Sequence, residues 1–228
     1  MAGDSAASER RGPREEAFGY ECRRCLNCCH FKHIQLNPYE VARLARNRRL
    51  STTDFRRRFT FQGAGVALAQ TPDGACVFLG PDGCMVHPDR PLVCRLYPLG
   101  RHLSWDGSER FSHLEPHPRS AGKLTGRGVI GEYLEDQGAE PFIEAADEYM
   151  AWLNRALEHA PEAARRLDDK TLSPAAADDV DLMDMDAAIA AHQAATGEAP
   201  PADIEARKRL HLSILYDQLC SDDEEETS

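Results

Sequence analysis

The sequence predicts an α+β protein, in which a small cysteine-rich region with a short hairpin precedes a mostly helical C-terminal half. Seven of the eight cysteines lie between Cys22 and Cys94, where short apolar runs alternate with turn residues. In the second half the apolar residues recur instead with the period of a helix. Charge divides the chain at the same place, since residues 20–127 are net basic and residues 128–228 are strongly acidic.

The same pattern predicts four segments. Residues 1–19 carry charges but no apolar stretch, so we expect a disordered lead-in rather than a secretory signal. Residues 20–127 form the cysteine-cluster region, which we expect to bind metal, and residues 128–220 form a helical region that packs on it. Residues 221–228 read SDDEEETS and are expected to be an acidic, solvated tail.

Two helices are predicted in the cysteine-cluster region. Asn37 and Glu40 have the spacing of a capping box, and Pro38 between them suits the first position of a helix. A second, shorter helix is expected to follow residues 51–54. Residues 99–127 are rich in Gly, Pro, Ser and His, which predicts a long loop.

Short strands are predicted at residues 66–70 and 76–79. The second of these is followed by Gly-Pro-Asp-Gly at residues 80–83, a turn sequence that indicates a hairpin. Such a hairpin would bring Cys76 and Cys84 close together.

Three helices are predicted in the acidic half. Residues 181–193 are Ala-rich, residues 203–219 have apolar positions along one side, and residues 174–179 and 197–201 are expected to connect helices. The first of the three helices is predicted by an apolar stripe that consists of Phe142, Ala146, Tyr149, Leu153 and Leu157.

The cysteines have the spacing of metal ligands. The first group is Cys22-x-x-Cys25-x-x-Cys28-Cys29, and the second group comprises Cys76, Cys84 and Cys94. Thiolates two residues apart can wrap one metal, because the turn between them directs both sulfurs inward. We therefore predict that these seven cysteines bind a metal or a metal cluster.

Two cofactors agree with this ligand set. Cys22, Cys25 and Cys28 repeat the spacing that holds three corners of a [4Fe–4S] cluster, and Cys94 or a hairpin cysteine would supply the fourth. This cluster is the favoured cofactor, and zinc, which accepts the same thiolates, is the alternative. In an extended segment Cys28 and Cys29 would point to opposite sides, which suits two iron corners, two metals, or one ligand beside one reactive thiol.

Residues near the second cysteine group were considered as supporting residues. Arg90 and Arg95 are predicted either to donate hydrogen bonds to thiolate sulfur or to pair with carboxylates. Tyr97, with Pro98, is expected to pack and turn the chain as it leaves Cys94. His87 could complete a zinc site, but a turn or surface position is favoured for it.

The segments CRRCLNCC and CVFLGPDGCMVHPDRPLVCRLYP resemble the CxxCxxCC cysteine-cluster family. The resemblance covers about residues 20–100 and implies a zinc- or iron-chelating protein, often one with an iron–sulfur cluster. A flagellin lysine methylase carries a similar cluster, so the resemblance permits methyl transfer as an activity. A redox role is the other activity considered, and whether the chain is an enzyme stays open.

Composition narrows the possible partners. The net charge of −11 argues against nucleic-acid binding driven by bulk charge. No apolar stretch approaches the length of a membrane span, so we expect a cytoplasmic protein in which clustered cysteines stay reduced. The partner would be an unidentified protein or redox partner.

Two alternative functions remain, namely a structural zinc module that presents an interaction surface, and a metal-handling protein that sequesters or transfers iron or zinc.

Overall fold

The computed structural model describes residues 11–63, 65–104, 106–159 and 183–226. Within these ranges the chain forms an α+β fold, as the sequence predicts. The helices are α1 Pro38–Arg48, α2 Thr52–Phe59, α3 Leu92–Leu96, α4 Ile130–Asp136, α5 Glu140–His159, α6 Met185–Thr196 and α7 Ile204–Glu226. The strands are β1 Arg11–Gly12, β2 Tyr20–Glu21, β3 Gln35–Leu36, β4 Thr60–Gly63, β5 Gly65–Leu68, β6 Leu79–Gly80, β7 Gly83–Cys84, β8 Leu99–Leu103, β9 Glu109–His113 and β10 Lys123–Leu124.

Helix α1 begins at the predicted capping box. The Asn37 side chain accepts a hydrogen bond from the Glu40 amide at 2.9 Å, and the Glu40 carboxylate accepts one from the Asn37 amide at 3.0 Å. Ser51 caps α2 in a similar way, with its hydroxyl accepting from the Asp54 amide. Both helix starts are therefore fixed by local sequence.

The first hydrophobic cluster lies between these two helices and a three-stranded antiparallel sheet of order β3-β5-β4. The side chains of Leu36 in β3 and Leu68 in β5 are buried, together with that of Ile34 just before β3. They meet Phe55 of α2 and Phe78 of the cysteine-cluster region, whose rings stack with centroids 5.9 Å apart. The second group of cysteines packs against this cluster.

Residues 99–127 are not a long loop, and this prediction is wrong. Strands β8 and β9 form a hairpin with Leu99 opposite His113 and Leu103 opposite Glu109, and β10 pairs with β2. The polar residues misled the prediction because one face of this hairpin is exposed to solvent, while Leu99 and Phe111 on the other face are buried.

The lead-in predicted at residues 1–19 is ordered over residues 11–19, the part of it that the structure describes. Strand β1 pairs with β9, with Arg11 opposite Ser112, and Ala17 forms a bridge with Val129. Phe18 is only 2% exposed and packs edge-on against Tyr133. The expectation of disorder is wrong for residues 11–19, because one buried aromatic ring and a sheet edge hold a segment that is otherwise polar.

The helical half packs on α1. Phe142 of α5 contacts Tyr39 of α1, and Trp152 of α5 donates a hydrogen bond to the Leu215 carbonyl of α7 at 3.0 Å. The Lys208 side chain of α7 is 2% exposed, and its ammonium lies 2.6 Å from the Glu148 carboxylate. These contacts link α1, α5 and α7.

Two boundaries in the acidic half differ from the prediction. Helix α6 begins at Met185, with Asp184 as its N-cap rather than inside the helix. Residues 181–182 of the predicted helix lie outside the described residues, as does the connector at 174–179. Helix α7 continues through Glu226, so the backbone of the predicted acidic tail is helical to that point. Among the helices that the structure describes, none combines the length and apolar character needed to cross a membrane.

Hydrophobic clusters extend across residue 127, where we expected the cysteine-cluster region to end. Phe18, Leu96 and Phe111 are buried together with Ile130 and Leu134 of α4. Helix α4 therefore shares its core with the cysteine-cluster region.

Candidate metal centre

The first cysteine group follows β2 and folds into a tight turn. Residues Asn27–Cys29 form a 3-10 turn, and its flanking residue Leu26 has a positive φ of 65°. The Cys76 amide donates a hydrogen bond to the Cys29 carbonyl at 2.8 Å, and His30 forms a β-bridge with Ala75. These bonds bring the first cysteine group against the start of the second.

The predicted hairpin is confirmed. Strands β6 and β7 pair with Leu79 opposite Cys84 and Gly80 opposite Gly83. The strand predicted at residues 76–79 is shorter, because Cys76 instead forms a bridge with Gln70. Cys76 and Cys84 nevertheless pack against the same hydrophobic cluster, which Cys94 of α3 also contacts.

Five thiols form one group, which we call the inner thiols: Cys28, Cys29, Cys76, Cys84 and Cys94. Each is partly buried. Burial raises the pKa of Cys94, and the neighbouring thiols of Cys76, Cys84 and Cys28 raise it further. Burial likewise raises the pKa of Cys84 and of Cys76. Because each thiol opposes ionisation of the others, the group needs a bound cation before several of its members become thiolates together.

Cys28 and Cys29 do not point to opposite sides, and this expectation is wrong. The two residues lie in a 3-10 turn rather than an extended segment. Their side chains hydrogen-bond to each other, which lowers the pKa of Cys28 and raises the pKa of Cys29. Both thiols therefore face the remaining inner thiols.

Cys22 and Cys25 are the other two clustered cysteines, and we call them the outer pair. Cys22 is exposed, and its sulfur accepts a hydrogen bond from the Arg24 amide at 3.4 Å. The Cys25 sulfur accepts one from the Ala121 amide at 3.3 Å. This bond and others from neighbouring groups lower the pKa of Cys25 to about 7.

The arrangement of the inner thiols was compared with that of a metal site. Among the described residues, no three Cys, His, Asp or Glu side chains already have the separations of ligands around one ion. The donor chemistry nevertheless fits zinc or an iron–sulfur cluster, because five partly buried thiols from three chain segments act on one another's ionisation. Binding would then require the sulfurs to draw closer together.

Arg95 neither pairs with a carboxylate nor donates to a thiol in the hydrogen bonds that the structure describes. Its guanidinium donates to the carbonyls of Pro88, Arg90 and Gln137 at 2.6, 2.9 and 2.7 Å. It also stacks on the Phe142 ring, 3.9 Å from the centroid. Arg95 thus holds the turn before Cys94 and the end of α4 in place.

Arg90 and Tyr97 also act on the backbone around the site. Arg90 donates to the His87 carbonyl at 2.8 Å and to the Gln137 side chain at 2.8 Å. Its positive charge lowers the pKa of Cys84 against the effect of burial. The Tyr97 hydroxyl accepts a hydrogen bond from the His117 amide at 2.9 Å, and the peptide before Pro98 is cis.

His87 lies in a 3-10 turn beside Arg90. Burial first, and then the positive charges of Arg90, Arg24 and Arg95, lower the pKa of His87. The neutral form that a metal ligand requires is therefore favoured at this position. The Cys220 side chain lies outside the described residues.

Sequence reasoning missed the segment 117–122 as part of the site. Its Ala121 amide reaches Cys25, and its Arg119 carbonyl accepts a hydrogen bond from Asn27 at 2.8 Å. Backbone groups of this segment make both contacts, and Cys25 and Asn27 lie more than ninety residues away along the chain. No local sequence motif therefore marks the segment. Lys32 was also missed, although its charge lowers the pKa of Cys28.

One protein-family model matches the chain over residues 21–115, namely CxxCxxCC, described as a "putative zinc- or iron-chelating domain". The matched region contains all seven clustered cysteines and extends past β9. It confirms the resemblance predicted from the motifs and agrees with metal binding through this part of the chain. No curated protein and no solved structure matches the chain.

Proposed function

We propose that residues 21–115, the part of the chain that matches the CxxCxxCC family, hold one [4Fe–4S] cluster through inner thiols and serve in one-electron transfer. The observation that carries this proposal is that five partly buried thiols from three chain segments act on one another's ionisation, and that three of them pack against one hydrophobic cluster. Four ligands are needed, so the group has one thiol to spare.

The three segments supply the ligands in a way that suits a cluster. Cys28 and Cys29 lie on one turn, Cys76 and Cys84 flank the hairpin, and Cys94 lies in α3. Donors from separated segments can surround a cluster, because each segment approaches from its own direction. Backbone hydrogen bonds hold two of the segments together, since the Cys76 amide bonds to the Cys29 carbonyl at 2.8 Å.

Positive charges lie beside the inner thiols. Lys32 lowers the pKa of Cys28, and Arg90 lowers the pKa of Cys84. A cluster held by four thiolates carries net negative charge, which these side chains would offset. When bound, the cluster would supply reversible one-electron chemistry, and the protein would set its potential through this charge and through burial.

The test is the metal content of the full-length protein purified without oxygen. We expect a brown protein with absorbance at about 400 nm, and iron and acid-labile sulfide in equal amounts. The double variant Cys84→Ser/Cys94→Ser should lose the cluster, because it leaves three inner thiols where four ligands are needed. Elemental analysis measures the iron and sulfide content of wild type and variant, and electron paramagnetic resonance detects the cluster.

The matched control is Cys220→Ser, which changes a cysteine outside the cluster and should keep the full metal content. Full iron and sulfide in the double variant would contradict the ligand assignment. A colourless wild-type protein that contains neither iron nor zinc would contradict metal binding as a whole.

A structural zinc site is the second candidate. Cys76, Cys84 and Cys94 pack against the first hydrophobic cluster, so a bound ion would also crosslink the core. This candidate predicts a colourless protein with stoichiometric zinc that unfolds when a strong chelator removes the metal. The colour and the iron content of the anaerobically purified protein distinguish the two candidates.

A further inference from the structure

We propose that the helical half of the protein sets how tightly the inner thiols hold a metal, and that Tyr39 and Arg43 carry this influence from α7 to the turn between Cys84 and Cys94. The inference rests on the proposed metal centre at the inner thiols. It gives a role to helices α5 and α7, which lie beyond residues 21–115, the part of the chain that matches the family model.

A 3-10 turn that ends at Asp89 joins the hairpin that carries Cys84 to the helix that carries Cys94. Two side chains of α1 hold the Asp89 carboxylate. Arg43 donates a hydrogen bond to one of its oxygens at 2.9 Å, and Asn47 donates to the other at 2.8 Å. Because Asp89 is five residues along the chain from each cysteine, a shift of this carboxylate would move the two thiols relative to each other.

Continuous polar contacts lead from this carboxylate into the helical half. Arg43, which donates to Asp89, also donates to the Tyr39 hydroxyl at 3.0 Å. The Tyr39 hydroxyl donates in turn to the Glu205 carboxylate of α7 at 2.5 Å. The Lys208 ammonium, one turn further along α7, lies 3.9 Å from the Glu205 carboxylate. We call these five side chains the polar relay.

The middle of the polar relay is shielded from water. Tyr39 is fully buried, and Lys208 is 2% exposed. Burial raises the pKa of Tyr39 to about 12, so the hydroxyl stays protonated and can donate to Glu205 at neutral pH. Because water cannot readily replace a lost partner at such a position, breaking one contact leaves its neighbour unsatisfied and weakens the next contact along the relay.

Lys208 fixes α7 against α5 at the far end of the relay. Its ammonium lies 2.6 Å from the Glu148 carboxylate and 3.6 Å from that of Glu144, both on α5. The same ammonium lies 5.8 Å from the centre of the Tyr39 ring. The packing of α7 against α5 therefore determines where Glu205 meets the Tyr39 hydroxyl.

Helix α5 also supports the helix that carries Cys94. The Phe142 ring of α5 lies 3.9 Å from the guanidinium of Arg95, the residue that follows Cys94, and 5.2 Å from the guanidinium of Arg43. Undocking of α5 and α7 would thus release the turn at Asp89 and α3 together. We therefore expect the inner thiols to bind metal less tightly when the helical half is not docked.

Metal binding and docking of α7 then favour each other. If docking of α7 raises the metal affinity, thermodynamic linkage requires that bound metal stabilises docked α7 by the same factor. An event that undocks α7 would accordingly release metal without any change to a cysteine.

The test measures the zinc affinity of the full-length, reduced protein by competition with a coloured chelator, because Zn²⁺ accepts the same thiolates. Tyr39→Phe removes only the hydroxyl that joins Arg43 to Glu205 and should lower the affinity about fivefold. Asp89→Asn should also lower it. The double variant Tyr39→Phe/Asp89→Asn should lose less affinity than the product of the two single losses, because both changes interrupt the same relay.

Trp152→Phe is the matched control. It removes a hydrogen bond between the same two helices, from the Trp152 side chain to the Leu215 carbonyl, but it leaves the polar relay whole. It should lower the midpoint of urea denaturation and keep the zinc affinity close to that of wild type, because α7 stays docked. Circular dichroism confirms that each variant is folded.

Hydrogen exchange supplies a readout that does not depend on the affinity measurement. Zinc should slow the exchange of amides at residues 204–215 of α7 in the wild type. It should slow them less in Tyr39→Phe, because the relay between the metal centre and α7 is broken.

Four outcomes would overturn the inference. Equal zinc affinity of Tyr39→Phe and wild type would show that α7 does not act through Tyr39, and single losses that multiply in the double variant would show that Tyr39 and Asp89 act independently. An equally large loss in Trp152→Phe would assign the effect to general loosening. Each of these three results leaves the proposed metal centre standing, whereas a wild-type protein that binds neither zinc nor iron would remove the metal centre and the inference together.

Discussion

At the scale of single residues, Arg95 shows how one side chain can hold several loops. Its guanidinium satisfies three backbone carbonyls from residues 88, 90 and 137 and covers the face of Phe142. Burial lowers the pKa of Arg95 to about 10, yet the group remains charged at neutral pH. A buried cation that satisfies carbonyls is costly to remove, because those carbonyls then lose their donors.

Replacement of Arg95 should therefore destabilise the protein and loosen the metal site. We expect Arg95→Met to lower the free energy of unfolding by about 3 kcal/mol, because three backbone carbonyls lose a charged donor that is itself buried. Zinc affinity should fall by about tenfold, since α3 carries Cys94 directly beside Arg95. Urea denaturation and competition with a chelator measure the two effects.

The control for this change is Arg57→Met, whose side chain is 70% exposed. It should change stability by less than about 0.5 kcal/mol. Arg95→Lys should fall between the two, because an ammonium cannot reach three carbonyls in the plane of a guanidinium. Equal stability of Arg95→Met and wild type would contradict the positioning role.

At the scale of elements, Glu40 joins the start of α1 to the start of α3. One carboxylate oxygen accepts from the Asn37 amide at 3.0 Å and the other from the Leu92 amide at 2.7 Å. The residue is only 4% exposed. Burial raises the pKa of Glu40, while both amide hydrogen bonds act in the opposite direction. A capping residue predicted from local sequence thus also fixes the helix that carries Cys94.

Glu40→Ala should remove both links and lower the free energy of unfolding by about 2–3 kcal/mol. Glu40→Gln keeps one acceptor oxygen and should cost less. Chemical denaturation measures both changes.

The comparison is Glu132→Ala, which removes an exposed carboxylate that accepts from the Val129 amide at 3.2 Å. It should cost less than about 1 kcal/mol, because water replaces the lost acceptor. A similar cost for the Glu40 and Glu132 alanine variants would show that the link to Leu92 adds no stability.

At the scale of the whole molecule, an ion-pair network joins the N-terminal segment, the β8–β9 hairpin and the helical half. Arg14 and Arg101 both donate to Glu109, at 2.6 and 2.5 Å. Arg101 also makes two bonds of 2.7 Å to Asp147 of α5, and Arg14 reaches Glu140 at 2.5 Å. Residues 11–19 are ordered partly through these long-range pairs, which local sequence does not reveal.

Glu109 makes part of this stability depend on pH. Burial raises the pKa of Glu109, but the hydrogen bonds and charges of Arg14 and Arg101 outweigh it and lower the pKa below 4.5. A carboxylate whose folded pKa is depressed stabilises the fold above its unfolded pKa and loses that contribution as pH falls through the folded pKa. The wild type should therefore exceed Glu109→Gln in stability at about pH 7, and the difference should shrink at about pH 4 and below.

Urea denaturation at a series of pH values and constant ionic strength tests this expectation. Glu135→Gln is a suitable control, because Glu135 is exposed and lies outside the network of Arg14 and Arg101. A gap between wild type and Glu109→Gln that stays constant across this range would contradict an ionised Glu109 in the folded protein.

The sequence by itself determined which residue types are available as metal ligands, and where helix α1 and the turn of the β6–β7 hairpin are formed. The spacing of the seven cysteines predicted the family, and the turn at residues 80–83 predicted the hairpin at Cys84. The capping box at Asn37 predicted where α1 begins. Each of these features depends on residues a few positions apart, so the physical constraint is visible in the printed order.

Only the tertiary structure decided which cysteines lie together. It brought five cysteines from three chain segments into one electrostatically coupled group, placed Cys25 against the segment 117–122, and turned residues 99–113 into a hairpin. It also brought residues 11–19 into the fold through Phe18 and Arg14. Apart from the hairpin, these outcomes depend on contacts between residues many tens of positions apart, whose energies arise only when distant surfaces bury one another.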